Sequence, residues 1–471
     1  MKKVFIRTKN PLPNRHCMLL LYLLFPVLAL TGTQPENNGP SLQPESESLS
    51  ITYREALDYA IRHSTEMRQA RVDVEIAGKS IWEITAEGLP QVDASLSYQY
   101  FFRIPTQLVP AEFFGGEPGE FVEIRFGTQQ NMTAAASVSQ LIFDGSYIVG
   151  LRASRIYRQL AEETLERSEL EVRNRVAETY FLVLLSRDNL AVNRESLENM
   201  ERILAETEEV MKAGFTDQIN VDQLRLSVSN LRTAIRNLER QYDLSRNLLK
   251  LQMGVEMERE IDPVDTLDEL FETMITVADF SVGEDFDHEQ HIDYRIMLSR
   301  QTMDFMALRR EQSFSLPRIT ASLSYQESAM RDAFNFTDFD RPWFPSSFVA
   351  VNMTIPIFSS GLRSSRVSQA RLELQKSELA TQQVAESLKM QIAEARAQFL
   401  TAREQYHNER ENLELAENIF RQTTIMHGEG LATSLELTQA QNQLLSTRAG
   451  YFGAMFDLIN ARNDLEKARG L

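Results

Sequence analysis

The densest group of potential metal ligands in the sequence lies in an acidic segment after residue 284. Six of its side chains carry a carboxylate or an imidazole: Asp285, Asp287, His288, Glu289, His291 and Asp293. Zinc hydrolases place two histidines on one helical face in the pattern His-Glu-x-x-His. The spacing here, His288-Glu289-Gln290-His291, is one residue shorter. We therefore interpret the segment as a solvated acidic linker, and whether it binds a cation stays open.

Other signatures of catalysis are missing from the sequence. It has no glycine-rich phosphate loop, and no serine or histidine comes with the partners of a catalytic triad. The formal net charge is −18, which argues against nucleic acid or anionic lipid as the main partner. We therefore predict a protein that is not an enzyme, needs no cofactor and binds no nucleic acid.

Residues 1–33 have the features of a secretory signal peptide. Basic residues precede an apolar run from Met18 to Leu30, and small residues follow it. This run is too short for a usual membrane-spanning helix. Cys17, the only cysteine, precedes the run, so we predict a mature chain with no disulfide and no lipidated N-terminus. Residues 34–50 are polar and typical of a flexible leader.

A long proline-free stretch, residues 146–251, predicts very long helices. Proline would cost about 3 kcal/mol inside a helix, so its absence permits one helix to continue for many turns. The stretch breaks once, at Ala213-Gly214-Phe215-Thr216-Asp217. Apolar residues recur every seven positions on both sides of this break, which makes helices pack side by side. We predict a helical hairpin.

Four other segments alternate apolar and polar residues with a period of two. In the first, Val92, Ala94 and Leu96 alternate with Asp93 and Ser95. Transmembrane β-strands have this pattern over about 9–11 residues, with the apolar side chains toward lipid. Aromatic residues suited to a membrane girdle lie near the strand ends: Phe101, Phe102, Phe126, Trp343 and Phe344. A soluble antiparallel sheet packed on a core would show the same alternation and stays an alternative.

The organisation of the first half of the chain is repeated in the second half. Leu89-Pro90 and Leu316-Pro317 match at an offset of 227 residues, as do the strands that follow them. An internal repeat of this length sets the architecture. We predict repeat 1 at residues 51–253, an acidic linker at 254–293 and repeat 2 at 294–471.

Each repeat is predicted to contain a helix, two strands, a long helix, a tip turn and a shorter helix. We expect the two shorter helices to stack end to end beside the long one. In repeat 1 the elements after the first helix fall at about 91–101, about 131–143, 146–212, 213–218 and 219–251. In repeat 2 they fall at about 318–327, about 348–358, 361–426, 427–433 and 434–470.

Four strands are too few to close a membrane barrel, because the smallest closed ones have about eight. Open strand edges cannot lie in lipid, since each unpaired backbone group there costs several kcal/mol. We therefore expect several copies of the chain to share one barrel. Their long helices would then form a shared hollow cylinder.

Several motifs resemble one known family. They are the Leu-Pro entries to the first and third strands, the Ile-Phe exits from the second and fourth, the glycine-containing helical turns, and the pattern Ile51-Thr52-Tyr53-Arg54-Glu55-Ala56-Leu57 with Ala60 and Glu66-Met67-Arg68. With the duplicated order, they resemble the TolC-like outer-membrane efflux proteins over nearly all of the mature chain. The resemblance implies a mixed α/β membrane protein. In it, a homotrimer forms a twelve-stranded β-barrel, four strands per chain, continuous with a long α-helical barrel.

The resemblance also implies a function and partners. The protein would be a passive exit duct in the outer membrane, in contact with its lipid and extending into the periplasm. It would dock a periplasmic adaptor (a membrane fusion protein) and work with an inner-membrane pump of RND or ABC type, in efflux or type I secretion. Neither the exported substrate nor the pump type follows from the sequence.

The resemblance places both helical turns at the periplasmic tip, where this family narrows its tunnel. It implies a constriction formed by Asn220, Gln223, Glu436 and Gln439. It implies adaptor docking at Gly214, Phe215, Gly430 and Leu431. The family often has aspartate at the constriction, so Asn and Gln are departures that argue against a strongly anionic ring. An alternative for Glu436 is a solvated acid that favours a helix dipole.

A second function stays open on the residues alone. Long heptads and a soluble sheet would also suit a periplasmic coiled-coil scaffold or binding protein without a pore. Membrane fractionation separates the two hypotheses, because only the channel would stay with the outer membrane after carbonate or urea extraction.

Overall fold

A computed structural model of the chain describes residues 49–277, 286–338 and 340–470. The predicted signal peptide 1–33, almost all of the leader 34–50, and Asp285 of the acidic segment lie outside the described residues. Among the described residues, none of the helices combines the length and the apolar character needed to cross a membrane.

The two halves of the chain have the same order of main elements. The first half contains β1 (Leu49–Ile51), α1 (Tyr53–His63), α2 (Thr65–Glu87), β2 (Gln91–Tyr100), β3 (Thr106–Pro110), β4 (Phe121–Arg125), β5 (Gln130–Phe143), α3 (Gly145–Lys212) and α4 (Gln218–Met253). The connection contains β6 (Ile261–Pro263) and α5 (Leu267–Val277). The second half contains α6 (Ile292–Ser313), β7 (Arg318–Arg331), β8 (Phe344–Thr354), α7 (Leu362–Gly428) and α8 (Ser434–Arg469).

The four long strands form one antiparallel sheet in the order β2-β5-β7-β8. One row of directly paired apolar residues crosses all four strands: Val92, Val138, Leu323 and Val349. Residues at alternate positions share a sheet face, so this row marks the apolar face that the period of two predicts. Both outer strands leave apolar side chains of this face highly exposed, with Val92 at 71% and Val349 at 74%.

Two strand boundaries differ from those predicted. The fourth strand, expected at about 348–358, spans Phe344–Thr354, because its first residues pair with the end of β7 and Pro356 has no N–H to continue the ladder. The third, expected at about 318–327, continues to Arg331, where it still pairs with β5. In addition, part of the Phe- and Gly-rich loop after β2 forms the hairpin of β3 and β4.

The shorter helices pack beside the two long helices, α3 and α7. Both α2 and α4 pack along α3, and both α6 and α8 pack along α7. The shorter helices meet at close joints. A Cβ on Gly254, just after α4, would lie 2.6 Å from the carbonyl oxygen of His63, just before α2. A Cβ on Gly470, just after α8, would lie 3.2 Å from Cδ2 of His291, the N-cap of α6. Each long helix therefore runs beside two shorter ones that meet end to end.

The described part of the connection between the repeats, predicted as an acidic linker at 254–293, packs on the helices. Its apolar residues Ile261, Leu267 and Phe271 are buried in the main core. β6 pairs in parallel with β1. These apolar residues attach the connection to the helices, although its sequence is strongly acidic.

A partly buried polar cluster, which we name the Asp265 clamp, fixes this connection to α3. Asp265 Oδ2 accepts hydrogen bonds from the Tyr53 backbone N–H at 2.6 Å and from the Tyr180 hydroxyl at 2.7 Å. Arg187 donates to the carbonyl oxygens of Pro263 and Asp265, both at 2.8 Å. Burial, and then the neighbouring Asp265, raise the pKa of Tyr180, so its hydroxyl stays protonated and remains a donor.

Candidate functional site

The two predicted tip turns are the same structural motif. Each is a Schellman motif, in which a glycine with positive φ follows the helix and two backbone hydrogen bonds close the last turn. Gly214 has φ +83°, and the Phe215 N–H donates to the Val210 carbonyl at 3.1 Å. Gly430 has φ +74°, and the Leu431 N–H donates to the Met426 carbonyl at 2.8 Å.

Each turn leaves its apolar residue exposed. Phe215 is 84% exposed and Leu431 is 69% exposed. In a Schellman motif this residue commonly contacts the end of its own helix. The two turns lie at the same end of the molecule, because Leu224 and Leu437, near the starts of α4 and α8, belong to one core cluster. That end therefore presents two exposed apolar side chains.

The four predicted constriction residues have different environments. Asn220 is half-buried, and its Nδ2 donates to Thr216 Oγ1 at 3.0 Å. Gln439 is exposed. Gln223 is half-buried, and its Oε1 is buried without a partner among the described residues. A single chain thus places these residues at one end without joining them in one hydrogen-bonded group.

Glu436 completes a capping box at the start of α8. Its carboxylate accepts from the Thr433 N–H at 2.7 Å and from Thr433 Oγ1 at 3.0 Å. In return, Thr433 Oγ1 accepts from the Glu436 N–H at 3.2 Å. The hydrogen bonds from Thr433 lower the pKa of Glu436, so the side chain is a carboxylate at neutral pH. This geometry provides the helix-terminal role that the sequence left as an alternative, and its place in a constriction stays a prediction.

Two polar residues near the tip were not identified from the sequence. Arg448 joins the two hairpins, since it donates to Ser196 Oγ of α3 at 3.1 Å and to Glu417 of α7 at 3.0 Å. His427, in the last turn of α7, lies with its Nε2 3.2 Å from Ser434 Oγ. Neither contact follows from heptad spacing, which locates the packed face of a helix but not its partner.

The environment of His427 predicts a pH dependence at the tip. Burial lowers the pKa of His427, and the charge of Glu206 on α3 opposes this shift. The folded state therefore favours neutral imidazole. The stabilisation is present above the unfolded pKa of about 6.5 and is lost as pH falls through the folded pKa. We expect faster proteolysis at residues 427–434 at pH 5.5 than at pH 7.5. A His427→Gln variant with an equal pH effect would contradict this assignment.

The described part of the acidic segment acts as a helix cap. His291 is buried; its Nδ1 accepts from the Asp293 N–H at 3.2 Å, and its Nε2 lies 3.3 Å from the Lys467 carbonyl oxygen. Over residues 49–277, 286–338 and 340–470, no group of three or more His, Cys, Asp or Glu side chains is placed to hold a metal ion. Asp285 lies outside these ranges.

Comparison with known proteins gives one family match and one relative. The sequence model of the family described as outer membrane efflux protein matches residues 56–255 and 307–471. The probable outer membrane lipoprotein SilC of Salmonella typhimurium is 22% identical over 399 residues, which cover 83% of this chain and 79% of SilC. SilC is named a lipoprotein. For this chain we predict no lipidated N-terminus. Cys17, on which that prediction depends, lies outside the described residues.

Solved structures share the fold at low sequence identity. A crystal structure of CusC is 16% identical with a TM-score of 0.67, over 90% of this chain and 93% of that one. The CmeC outer membrane channel of Campylobacter jejuni is 17% identical with a TM-score of 0.65, over 89% and 85%. The open-state MtrE channel of Neisseria gonorrhoeae is 15% identical with a TM-score of 0.63, over 89% and 88%.

Proposed function

Because the chain belongs to the outer membrane efflux protein family and is an exit duct of the outer membrane, we propose that it works as a homotrimer. Three copies would contribute four strands each to one twelve-stranded β-barrel. The paired long helices would continue below it as an α-helical barrel in the periplasm. A scaffold without a pore, the alternative that the sequence left open, has no support from the family match.

The observation that carries this proposal is the pair of free edges on the sheet. Within the described residues, β2 pairs only with β5, and β8 pairs only with β7. The apolar face of the sheet suits lipid, but an unpaired strand edge in lipid costs several kcal/mol per backbone group. Pairing β8 of one copy with β2 of the next removes every such edge when the ring closes.

The helices support the same arrangement. Across the chain they neighbour one another in the order α2-α3-α6-α7 nearer the sheet and α4-α3-α8-α7 nearer the tip. The outermost helices of this order carry exposed apolar side chains, among them Val72, Ile76, Trp82, Leu226, Leu244, Leu372, Leu379, Leu400 and Leu415. Exposed apolar patches of this kind mark protein interfaces. A neighbouring copy would cover them.

The tip turns are proposed as the periplasmic end of the duct. The exposed Phe215 and Leu431, held on rigid Schellman turns, would contact a periplasmic adaptor, which in turn links the duct to an inner-membrane pump of RND or ABC type. Asn220, Gln223, Glu436 and Gln439 would narrow the tunnel just above. Cargo would pass without being chemically changed, so the chain itself would supply a path and a gate.

Conductance of the purified protein in planar bilayers tests this function. We expect the double substitution Glu436→Ala with Gln439→Ala to raise the single-channel conductance, because it shortens both side chains and removes the capping box.

A second variant, Glu436→Gln, tests the charge alone, because glutamine can still complete the capping box. A carboxylate attracts a cation about 4 Å away by about 1 kcal/mol in water. Glu436→Gln should therefore lower the preference of the channel for cations over anions severalfold.

The matched control is Glu414→Ala, an exposed acid on α7 away from the turn. It should leave conductance and selectivity at the values of the unmodified protein. Unchanged conductance in the double variant would remove Glu436 and Gln439 from the constriction. Absence of channels in every sample would count against the duct itself.

A further inference from the structure

One face of α8 packs against the first helical hairpin, and its polar residues are unequally satisfied. Leu437, Gln441, Leu444 and Arg448 lie on this face, because they recur at intervals of three and four residues. The contact of Arg448 with Ser196 shows that the face meets α3. Leu437, one turn before Gln441, packs in a cluster with Leu224 of α4. Gln441 therefore lies in the interface between the two hairpins.

Gln441 is buried in this interface without a hydrogen-bond partner. It is 1% exposed, and among the described residues neither its Oε1 nor its Nε2 has a partner. Thr438 Oγ1 on α8 and Gln223 Oε1 on α4, both near the tip, are likewise buried without partners there. A buried polar atom that leaves water and finds no partner destabilises the packed state, whereas an apolar side chain of similar shape would not.

One heptad further from the tip, the polar side chain in this interface has hydrogen-bond partners. There Arg448 occupies the position equivalent to Gln441 and donates to both Ser196 and Glu417. Hydrogen bonds to a charged group are stronger than those between neutral groups. The hairpins are thus held together at Arg448. Between Arg448 and the tip, Thr438 and Gln441 of α8 have polar atoms left unsatisfied by the described residues, and beyond Arg448 so do Asn460, Arg462 and Asn463.

We propose that Gln441 is a conformational device that keeps the packing of the two hairpins marginal at the tip. When α8 separates locally from α3 and α4, water reaches the amide of Gln441 and the neighbouring polar atoms, and their burial cost disappears. Local separation of α8 from α3 and α4 is therefore easier between the tip and Arg448. At Arg448 itself, the hydrogen bonds of the guanidinium oppose it. The inference deepens the proposed function and rests on it in one respect, that these turns form the periplasmic end of the duct.

Hydrogen exchange of the full-length protein in detergent tests this inference. Gln441→Met has nearly the same size and removes both unsatisfied polar atoms. We expect backbone amides of residues 434–445 to exchange about tenfold more slowly in this variant, which corresponds to about 1.4 kcal/mol of added protection. Gln441→Glu, which places a charge at the same site, should make the same amides exchange faster.

The control is Gln443→Met, the same chemical change two residues along α8 on an exposed side chain. It should leave exchange over residues 434–445 unchanged. Exchange in Gln441→Met that is as fast as in the unmodified protein, or faster, would overturn the inference. The exchange result is independent of channel formation, so bilayers without conductance would refute the duct while exchange still decides the role of Gln441.

Discussion

Replacing Asp265 with alanine is expected to lower the free energy of unfolding by about 3 kcal/mol, since hydrogen bonds to a charged group contribute about 1.5–3 kcal/mol each. The carboxylate accepts from the Tyr53 N–H and from the Tyr180 hydroxyl. Tyr180 is fully buried, so its hydroxyl would be left with the Ile51 carbonyl, 3.0 Å away, as its remaining acceptor. Unfolding in detergent, followed by circular dichroism against temperature and denaturant, measures the loss.

Asp262→Ala is the matched control for this prediction. Asp262 is an exposed acid on β6, in the same folded connection. Removing it changes the charge of the connection by the same amount without touching the Asp265 clamp. Equal stability losses in the two variants would show that acidity, and not the clamp, stabilises this region.

Gly254→Ala is expected to destabilise the chain by about 3 kcal/mol, as the sum of backbone strain and overpacking. Gly254 has φ +75°, a conformation that a residue with a Cβ adopts only at a cost. The added Cβ would also lie 2.6 Å from the His63 carbonyl oxygen. Because that atom is backbone, the joint between α4 and α2 would have to open. The same unfolding measurement reports the effect, and limited proteolysis near residue 63 reports its location.

The control is a glycine inside a helix, where an added Cβ has free space. Gly150 lies inside α3, and a Cβ there would meet nothing within 4 Å. Gly150→Ala should therefore stabilise the helix by about 0.5–1 kcal/mol. If Gly254→Ala proved as stable as the unmodified protein, the tight joint between the stacked helices would be refuted.

The long helices and the strand alternation could be predicted because both are local properties of the chain. The proline-free stretch at 146–212 corresponds to α3 at Gly145–Lys212, and the apolar row through Val92 follows a period of two. The alternation predicts an end to β8 four residues too late, because it continues past Thr354, whereas the ladder stops where Pro356 cannot donate. Backbone pairing, not side-chain pattern, set that boundary.

The contacts that fix the tip and the connection could not be predicted, because they join residues far apart in sequence. Tyr53 and Asp265 are 212 residues apart, and Ser196 and Arg448 are 252 apart. Heptad spacing shows that a helix has a packed face and leaves its partner undetermined. The capping box of Glu436, in contrast, can be predicted from the sequence, because Thr433-Ser434-Leu435-Glu436 has the capping-box spacing of a threonine followed three residues later by a glutamate.

The most direct test of the account is the number of chains per particle in the detergent-solubilised protein, measured by light scattering coupled to size exclusion. Free edges on β2 and β8 require neighbouring copies, and the account predicts particles of three chains extracted from the outer-membrane fraction. Cysteines placed on the β2 and β8 edges should then join neighbouring chains covalently. A single chain that stays in solution without detergent would contradict the account.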